Sequence, residues 1–253
     1  MLSLDRQKKI LHYINENRVA TVSELASKFN VHEATIRRDL SLLEKNGQLK
    51  RTHGGVMRID EVLSEPPVQE RESVQFYEKK RIGEYAGNFI NDGDNIILDS
   101  GTTTVHIVEA ITRKKNITVI TNDINIATKL RFSYQNKVIV TGGNLFPESY
   151  MLNGLLTDDA INELFVHTAF IGIPAFHPDI GLSHFDDYLV SAKKSMIRSA
   201  KKVIIVADHT KIDKVALYKV AEIRDIDTLI TTNELDKNQK RVLKELDIDV
   251  YIV

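Results

Sequence analysis

Two rhythms of apolar residues divide the chain. In residues 1–58 the apolar positions recur at helical spacing. Ile10, Leu11 and Ile14 mark a helix over about Leu4 to Asn15. Val22, Leu25, Ala26 and Phe29 mark a second, and Ile36, Leu40 and Leu43 mark a third that begins near His32. From about Glu78 the pattern changes to short, predominantly apolar runs: 95–98, 117–120, 138–140, 169–171, 203–206, 228–230 and 250–252. Helical patterns at Thr104–Ile111, Ile124–Leu130, Leu189–Ala200 and Lys237–Leu246 separate most of them. Apolar strands alternating with helices predict an α/β domain whose mostly parallel sheet is covered on both faces.

Local signals sharpen the first region. Thr21-Val22-Ser23-Glu24 fits a capping box, in which the Thr21 hydroxyl and the Glu24 carboxylate each satisfy a backbone N–H of the other. Asn30-Val31 makes a turn, and Asn46-Gly47 ends the third helix. Opposite Ile36, Leu40 and Leu43 lie Ala34, Arg38, Ser41 and Lys45, with Thr35 and Arg37 on the flanks. That face is small and polar at its start and cationic beyond, which suits a major groove, where Arg forks onto guanine. Leu49 to Thr52 alternates like a strand, Gly54-Gly55 turns it, and Val56 to Arg58 returns. The result is a small winged helix-turn-helix. Its expected DNA contacts are His32, Ala34, Thr35, Arg37, Arg38 and Ser41 on the helix and Lys50, Arg51 and His53 on the wing.

Charge supports that reading. Residues 1–58 hold eleven Lys/Arg against six Asp/Glu, and the remainder twenty-three against twenty-nine, so a net charge of −1 conceals a basic head on an acidic body. The absence of Cys excludes disulfides and thiolate chemistry and suits a reducing cytoplasm. No apolar run approaches the roughly 20 residues that span a bilayer, and no signal peptide is evident, so neither membrane association nor export is expected. The expected domains are 1–58 and 76–253. The acidic segment 59–75 between them contains Pro66-Pro67, which stiffens a connector. It reads first as a passive spacer and second as a transmitter of strain. The scattered histidines match no zinc pattern, so no metal or cofactor is expected.

Small and polar residues gather where the apolar runs end: Asp99 to Thr104, Thr121-Asn122, Gly142-Gly143, Gly172 and Asp208 to Lys211. Open α/β sheets bind ligands at that rim. Ser100, Gly101, Thr102, Thr103 and Thr104 read as a phosphate cradle, a Gly-containing turn whose N–H groups, hydroxyls and following helix dipole favour an anion. The competing reading is an ordinary capped turn.

The sequence resembles the bacterial DeoR-type transcriptional regulators. The likeness rests on Arg6, Ile10 and Ile14, then on Ser23-Glu24-Leu25-Ala26, Thr35-Ile36-Arg37-Arg38-Asp39-Leu40, Leu43-Glu44, Gly47 and His53-Gly54-Gly55. It continues through most of the second half. The resemblance implies an effector domain with a sugar-phosphate-isomerase-like fold that carries the same Ser-Gly-Thr loop and takes phosphorylated sugars. On that basis Lys211 is expected to supply a cation, and Asp208, Asp99 and Asn122 to accept from sugar hydroxyls. Lys193 joins them, in Ala192-Lys193-Lys194-Ser195-Met196-Ile197. Three departures stand out: His32 where the family usually has Ser, Ala175 where it mostly has Gly, and Leu189 where it often has Glu. The expected protein is a homodimeric or homotetrameric repressor of a sugar-catabolic operon, bound to double-stranded operator DNA and released by a phosphorylated sugar effector. An activator is one alternative. A sugar-phosphate isomerase or acyl-CoA-transferase-like enzyme is another, with Asp99, Asp186, Asp187 and Asp208 candidate bases by type alone, but no Glu closely follows the first loop, Leu189 stands where an acid would be wanted, and no catalytic residue is assigned.

Overall fold

Thr21 starts the second helix as the pattern requires. Its hydroxyl accepts from the Glu24 N–H at 3.1 Å, and the Glu24 carboxylate accepts from the Thr21 N–H at 2.7 Å. The computed structural model describes residues 3–17, 19–45, 48–51, 55–58 and 66–253. The chain divides into two compact units, Met1–Leu63 and Ser64–Val253.

The first unit contains α1 (Ser3–Asn17), β1 (Val19–Thr21), α2 (Val22–Phe29), α3 (Glu33–Lys45), β2 (Leu49–Arg51) and β3 (Gly55–Arg58). Ile10, Ile14, Leu25, Ile36, Leu40, Leu49 and Val56 form its core. Asn30 ends α2 in the left-handed conformation at φ 52°. A buried ion pair ties α1 to α3: Arg6 Nε lies 2.5 Å from Asp39 Oδ2, and Ser3 and Gln7 each donate to Oδ1 at 3.1 Å. The wing has a third strand that the sequence did not suggest, giving the antiparallel order β1-β3-β2. Gly55 belongs to this sheet rather than to a turn. A Cβ there would lie 2.3 Å from the Ala20 carbonyl oxygen, so only glycine lets β1 approach. Thr52, His53 and Gly54, the expected wing tip, lie outside the described residues.

The second unit runs α4 (Val68–Ser73), α5 (Phe76–Ala86), β4 (Asn95–Leu98), α6 (Val108–Ile111), β5 (Thr118–Thr121), α7 (Ile124–Leu130), β6 (Lys137–Val140), β7 (Asn144–Phe146), β8 (Met151–Asn153), α8 (Leu155–Asn162), β9 (Val166–Gly172), β10 (Ala175–His177), β11 (Gly181–His184), α9 (Val190–Arg198), β12 (Ala200–Val206), β13 (Tyr218–Ala221), β14 (Thr228–Thr231), α10 (Lys237–Lys244) and β15 (Asp249–Ile252). All seven apolar runs become strands of one sheet, ordered β15-β14-β12-β9-β4-β5-β6. Every pairing in it is parallel.

Alternation along the strands builds two cores. Ile96, Leu98, Phe170, Ile204 and Ile230 pack with Ile82 of α5, Ile111 of α6 and Ile126 of α7. Ile97, Ile171, Ile205 and Leu229 pack on the other face with Ile161 of α8, Met196 of α9 and Leu243 of α10. The small antiparallel sheet β10-β11-β13 also rests on that second face, through Phe176, Leu182 and Val220. The strand order reverses at β4: the chain builds outward through β5 and β6, then returns to place β9 on the other side. That reversal opens a crevice beyond the carboxyl ends of β4 and β9.

Of the segment expected as a connector, 59–65 lie outside the described residues. Residues 66–75 are held within the second unit. The Val68 N–H donates to the Glu148 carbonyl at 3.0 Å, and Lys79 Nζ donates to the carbonyls of Arg71 and Val74 at 2.5 and 2.6 Å.

Candidate functional site

The outward face of α3 is arranged as its period requires. His32, Ala34, Arg37, Arg38 and Ser41 are exposed and Thr35 is half-buried. His32 holds the N-cap position, its carbonyl accepting from the Thr35 and Ile36 N–H groups at 2.9 and 3.3 Å. Arg37 is engaged along its own helix, 2.8 Å from the Glu33 carboxylate. Arg38 has no side-chain partner among the described residues. The backbones of Lys50 and Arg51 lie in β2, opposite Met57 and Val56. His53 lies outside the described residues.

In the second unit a narrow cleft sits at the strand-order reversal. Ser100, Gly101, Thr102 and Thr103 line it from the end of β4, Gly172 from the end of β9, Lys193 from α9 and Lys211 from the turn after β12. Among the described residues the backbone N–H groups of Gly101, Thr102 and Thr103 find no acceptor. The hydroxyls of Thr102 and Thr103, on residues only 6% and 8% exposed, find no partner there either. Successive unpaired N–H groups in a turn make a concavity that favours an anion. Arg71, Lys79, Lys193 and Lys211 bring cations to the same cleft.

Other expected ligand groups are committed to holding that loop. Asp99 is fully buried. Its Oδ2 accepts from Lys193 Nζ and from the Gly172 N–H, the latter at 3.1 Å, while Lys193 also donates to the Gly172 carbonyl at 2.8 Å. Burial pushes the Asp99 carboxyl above its ordinary range, against the opposing pull of the Lys193 ammonium. Asn122 accepts from the Ser100 N–H at 3.2 Å and donates to the Leu152 carbonyl at 3.1 Å. Ser100 therefore offers neither its N–H nor its hydroxyl freely, since the hydroxyl donates to Asp123 at 2.7 Å. Asp123 in turn caps α7 through the Asn125 and Ile126 N–H groups. Burial raises its carboxyl too, opposed by those bonds.

Several expected ligand residues do not line the cleft. The Thr104 hydroxyl donates back to the Gly101 carbonyl at 2.9 Å. After it comes a 3-10 turn, Thr104–Ile107, and then the single turn of α6, so the expected helix dipole is short. Thr121 Oγ1 accepts from the Asp123 N–H. Gly142 and Gly143, at φ 76° and 115°, shape the turn beside α8. A Cβ on Gly143 would lie 2.4 Å from Thr157 Oγ1. Asp208 caps its own turn through the Thr210 N–H. Leu189 does line the cleft, placing that departure at the site, whereas Ala175 is buried in β10.

Sequence reasoning missed Arg71, Lys79, Ser149 and His184, which line the same cleft from distant stretches. It also missed a triad of Glu78, Asp208 and His209, whose ligating atoms lie within 4.8 Å of one another. Hydrogen bonds account for that cluster. Glu78 Oε2 meets both Thr232 Oγ1 and His209 Nδ1 at 2.7 Å, fastening α5 to the rim.

Residues 6–62 match the DeoR-like helix-turn-helix domain, and residues 74–233 match the DeoR C terminal sensor domain. The chain belongs to the DeoR family. Among its relatives is the Bacillus subtilis (strain 168) HTH-type transcriptional regulator YulB, described as uncharacterized. It is 34% identical over 253 residues, covering 100% of this chain and 98% of its own length. The HTH-type transcriptional regulator GolR of Listeria innocua serovar 6a is 29% identical over 252 residues, covering 100% and 99%. The transcriptional repressor AccR of Agrobacterium fabrum (strain C58) is 29% identical over 228 residues, covering 90% and 88%. This DeoR-family chain is thus a DNA-binding transcriptional regulator rather than an enzyme. Among solved structures, ribose 5-phosphate isomerase A from Neisseria gonorrhoeae is similar over 55% of this chain and 53% of its own, at 16% identity and a TM-score of 0.39. The delta subunit of eIF2B from Chaetomium thermophilum is similar over 61% and 55%, at 20% identity and 0.44. Both are likenesses of fold alone. No helix among the described residues is long and apolar enough to cross a membrane.

Proposed function

We propose that this regulator represses a sugar-catabolic operon and that a phosphorylated sugar, bound in the cleft, releases it from its operator. The observation that carries the reading is the loop Gly101–Thr103. It presents three N–H groups and two hydroxyls, unpaired among the described residues, to a cleft that four cationic side chains also enter. Such a site favours a compact multivalent anion such as a phosphate monoester. Two further polar residues, Ser149 and His184, line the cleft where the hydroxyls of the attached group would lie. A relative named as a repressor supports the sign of regulation.

In this reading the head, residues 1–58, lays α3 in the major groove and sets the wing residues Lys50, Arg51 and His53 against the backbone or minor groove. One head of this size contacts too little DNA for specificity, so the working form is a homodimer or homotetramer that presents two heads to two half-sites. The protein works in the cytoplasm, where its operator and effector are. The ligand needs only modest leverage, since tenfold loss of operator occupancy takes about 1.4 kcal/mol of differential binding.

The test is Thr103→Val, which removes one unpaired hydroxyl at almost constant volume. Calorimetry with a panel of hexose and pentose phosphates should show roughly tenfold weaker binding, on the order of one charge-assisted hydrogen bond. Operator affinity without ligand should be unchanged. Equal ligand affinity in the variant and the wild type would remove the cradle from the account.

A further inference from the structure

We infer that the cleft takes a phosphorylated sugar acid, with its phosphate in the Gly101–Thr103 loop and its carboxylate at the far end, on Lys211. This rests on the cleft being the anion site proposed above, and it adds the chemistry of the ligand's other end.

The two ends of the cleft offer different things. After β4, the N–H groups of Gly101, Thr102 and Thr103 and the hydroxyls of both threonines are unpaired among the described residues, a set that suits the several oxygens of a phosphate. Lys211 comes from the turn after β12, whose backbone has no donor to spare. The His209 N–H donates to Thr232 Oγ1 at 3.3 Å, and the Thr210 N–H to Asp208 Oδ1 at 3.0 Å. The Lys211 N–H donates to the Asp208 carbonyl at 3.0 Å, and the Ile212 N–H to the His209 carbonyl at 3.2 Å. What remains there is one half-buried ammonium with no side-chain partner among the described residues. A lone ammonium without surrounding N–H groups matches one negative charge, a carboxylate, better than a second phosphate. Lys193, the other lysine near the end of β9, is already matched by Asp99.

The rest of the lining is poor in acceptors. Among the described residues no Asp or Glu lines the cleft. The Gly172 N–H and carbonyl are spent on Asp99 and Lys193, and His184 Nδ1 accepts from the Asp186 N–H at 3.1 Å. Met151, Ile173, Pro174, Leu189, Val206 and Ala207 are apolar. A ligand recognised chiefly through its hydroxyls needs acceptors as well as donors. A ligand with an anion at each end needs donors at both ends and no carboxylate facing it. The spacing agrees. β9 lies between β4 and β12, so the loop and the Lys211 turn stand two strand spacings apart, about 10 Å. A five- or six-carbon acid phosphorylated on its last carbon extends about 7–9 Å from phosphorus to carboxyl carbon, at about 1.25 Å per bond, and the lysine side chain covers the rest.

The full chain is titrated by calorimetry with matched probes of five and six carbons in the ribo, arabino, gluco and galacto series. Each series holds the aldonic acid with a terminal phosphate, the alditol with the same phosphate, the alditol with a phosphate at both ends, and the unphosphorylated acid. At least one acid phosphate should bind roughly tenfold tighter than its alditol phosphate and its bisphosphate, the worth of one charge-assisted hydrogen bond, and far tighter than the unphosphorylated acid. Lys211→Gln should remove that preference, weakening the acid phosphate about tenfold and its alditol phosphate little. Lys211→Arg should keep most of it, and Thr103→Val should weaken both phosphates alike. Circular dichroism on each variant confirms that it is folded. Alditol phosphates binding as tightly as acid phosphates, a bisphosphate binding tightest, or Lys211→Gln weakening acid and alditol phosphates equally overturns the inference and leaves the cleft reading standing. Wild-type protein that binds no phosphorylated probe, or binds the unphosphorylated acid as tightly as its phosphate, overturns both.

Discussion

At the scale of single residues, two adjacent arginines on α3 have different tasks. Arg37 is held by Glu33 on an exposed face, an arrangement worth a few tenths of a kcal/mol. Arg38 is exposed and without a partner among the described residues, and we propose that it reads a base. Arg38→Ala should cost about 1–3 kcal/mol of discrimination between operator and scrambled duplex, measured by competition anisotropy, and leave sugar-phosphate binding intact. Asp39, on the opposite side of the same helix, is structural. Burial works to raise its carboxyl, but bonds from Arg6, Gln7 and Ser3 outweigh this and hold it below the ordinary range. A depressed carboxyl stabilises the fold above its unfolded value, and that contribution is lost as pH falls through the folded value. Asp39→Asn should therefore destabilise the head by about 3 kcal/mol near neutrality, with the gap to wild type closing as pH drops below about 4. Thermal melts across pH check this.

At the scale of elements, legibility followed the length of the signal. Each of the seven apolar runs became a strand: the five inner ones are largely buried between the helical layers, and the edge strands β6 and β15 are partly exposed yet keep an apolar run. The α3 face was legible because Ile36, Leu40 and Leu43 fix its rotation. The β7-β8 hairpin and the β10-β11-β13 sheet were not, because their short strands mix polar and apolar residues and leave no apolar run to read. The cleft was half legible. Ser100 to Thr103 announce themselves as one run, whereas Arg71, Lys79 and His184 enter only when the fold brings distant stretches together. Thr104, Thr121 and Asn122 look like ligands by type, yet their hydrogen bonds are spent on the loop's own scaffold. Gly55 looked like half of a turn and proved to be the point where β1 crosses. Gly55→Ala should force that strand aside and cost the first unit about 1–3 kcal/mol, read as a lower melting temperature of its transition.

At the scale of the whole molecule, a basic head and an acidic body share one chain. Binding to DNA should then fall steeply with salt, and a dimer that neutralises on the order of eight phosphates gives a log–log slope near −7. Light scattering with DNA present should return at least twice the chain mass, and a single-chain mass would contradict the two-head arrangement. If an anionic sugar in the sensor controls what the head does, a single titration exposes it. The full chain is bound to a labelled duplex from its own upstream region at low salt and titrated with hexose and pentose phosphates and their unphosphorylated parents, with anisotropy as the readout. At least one sugar phosphate should lower occupancy tenfold or more, about 1.4 kcal/mol, while its parent sugar does nothing. A parent sugar acting as well as its phosphate, or a complex that no phosphate disturbs, would contradict it.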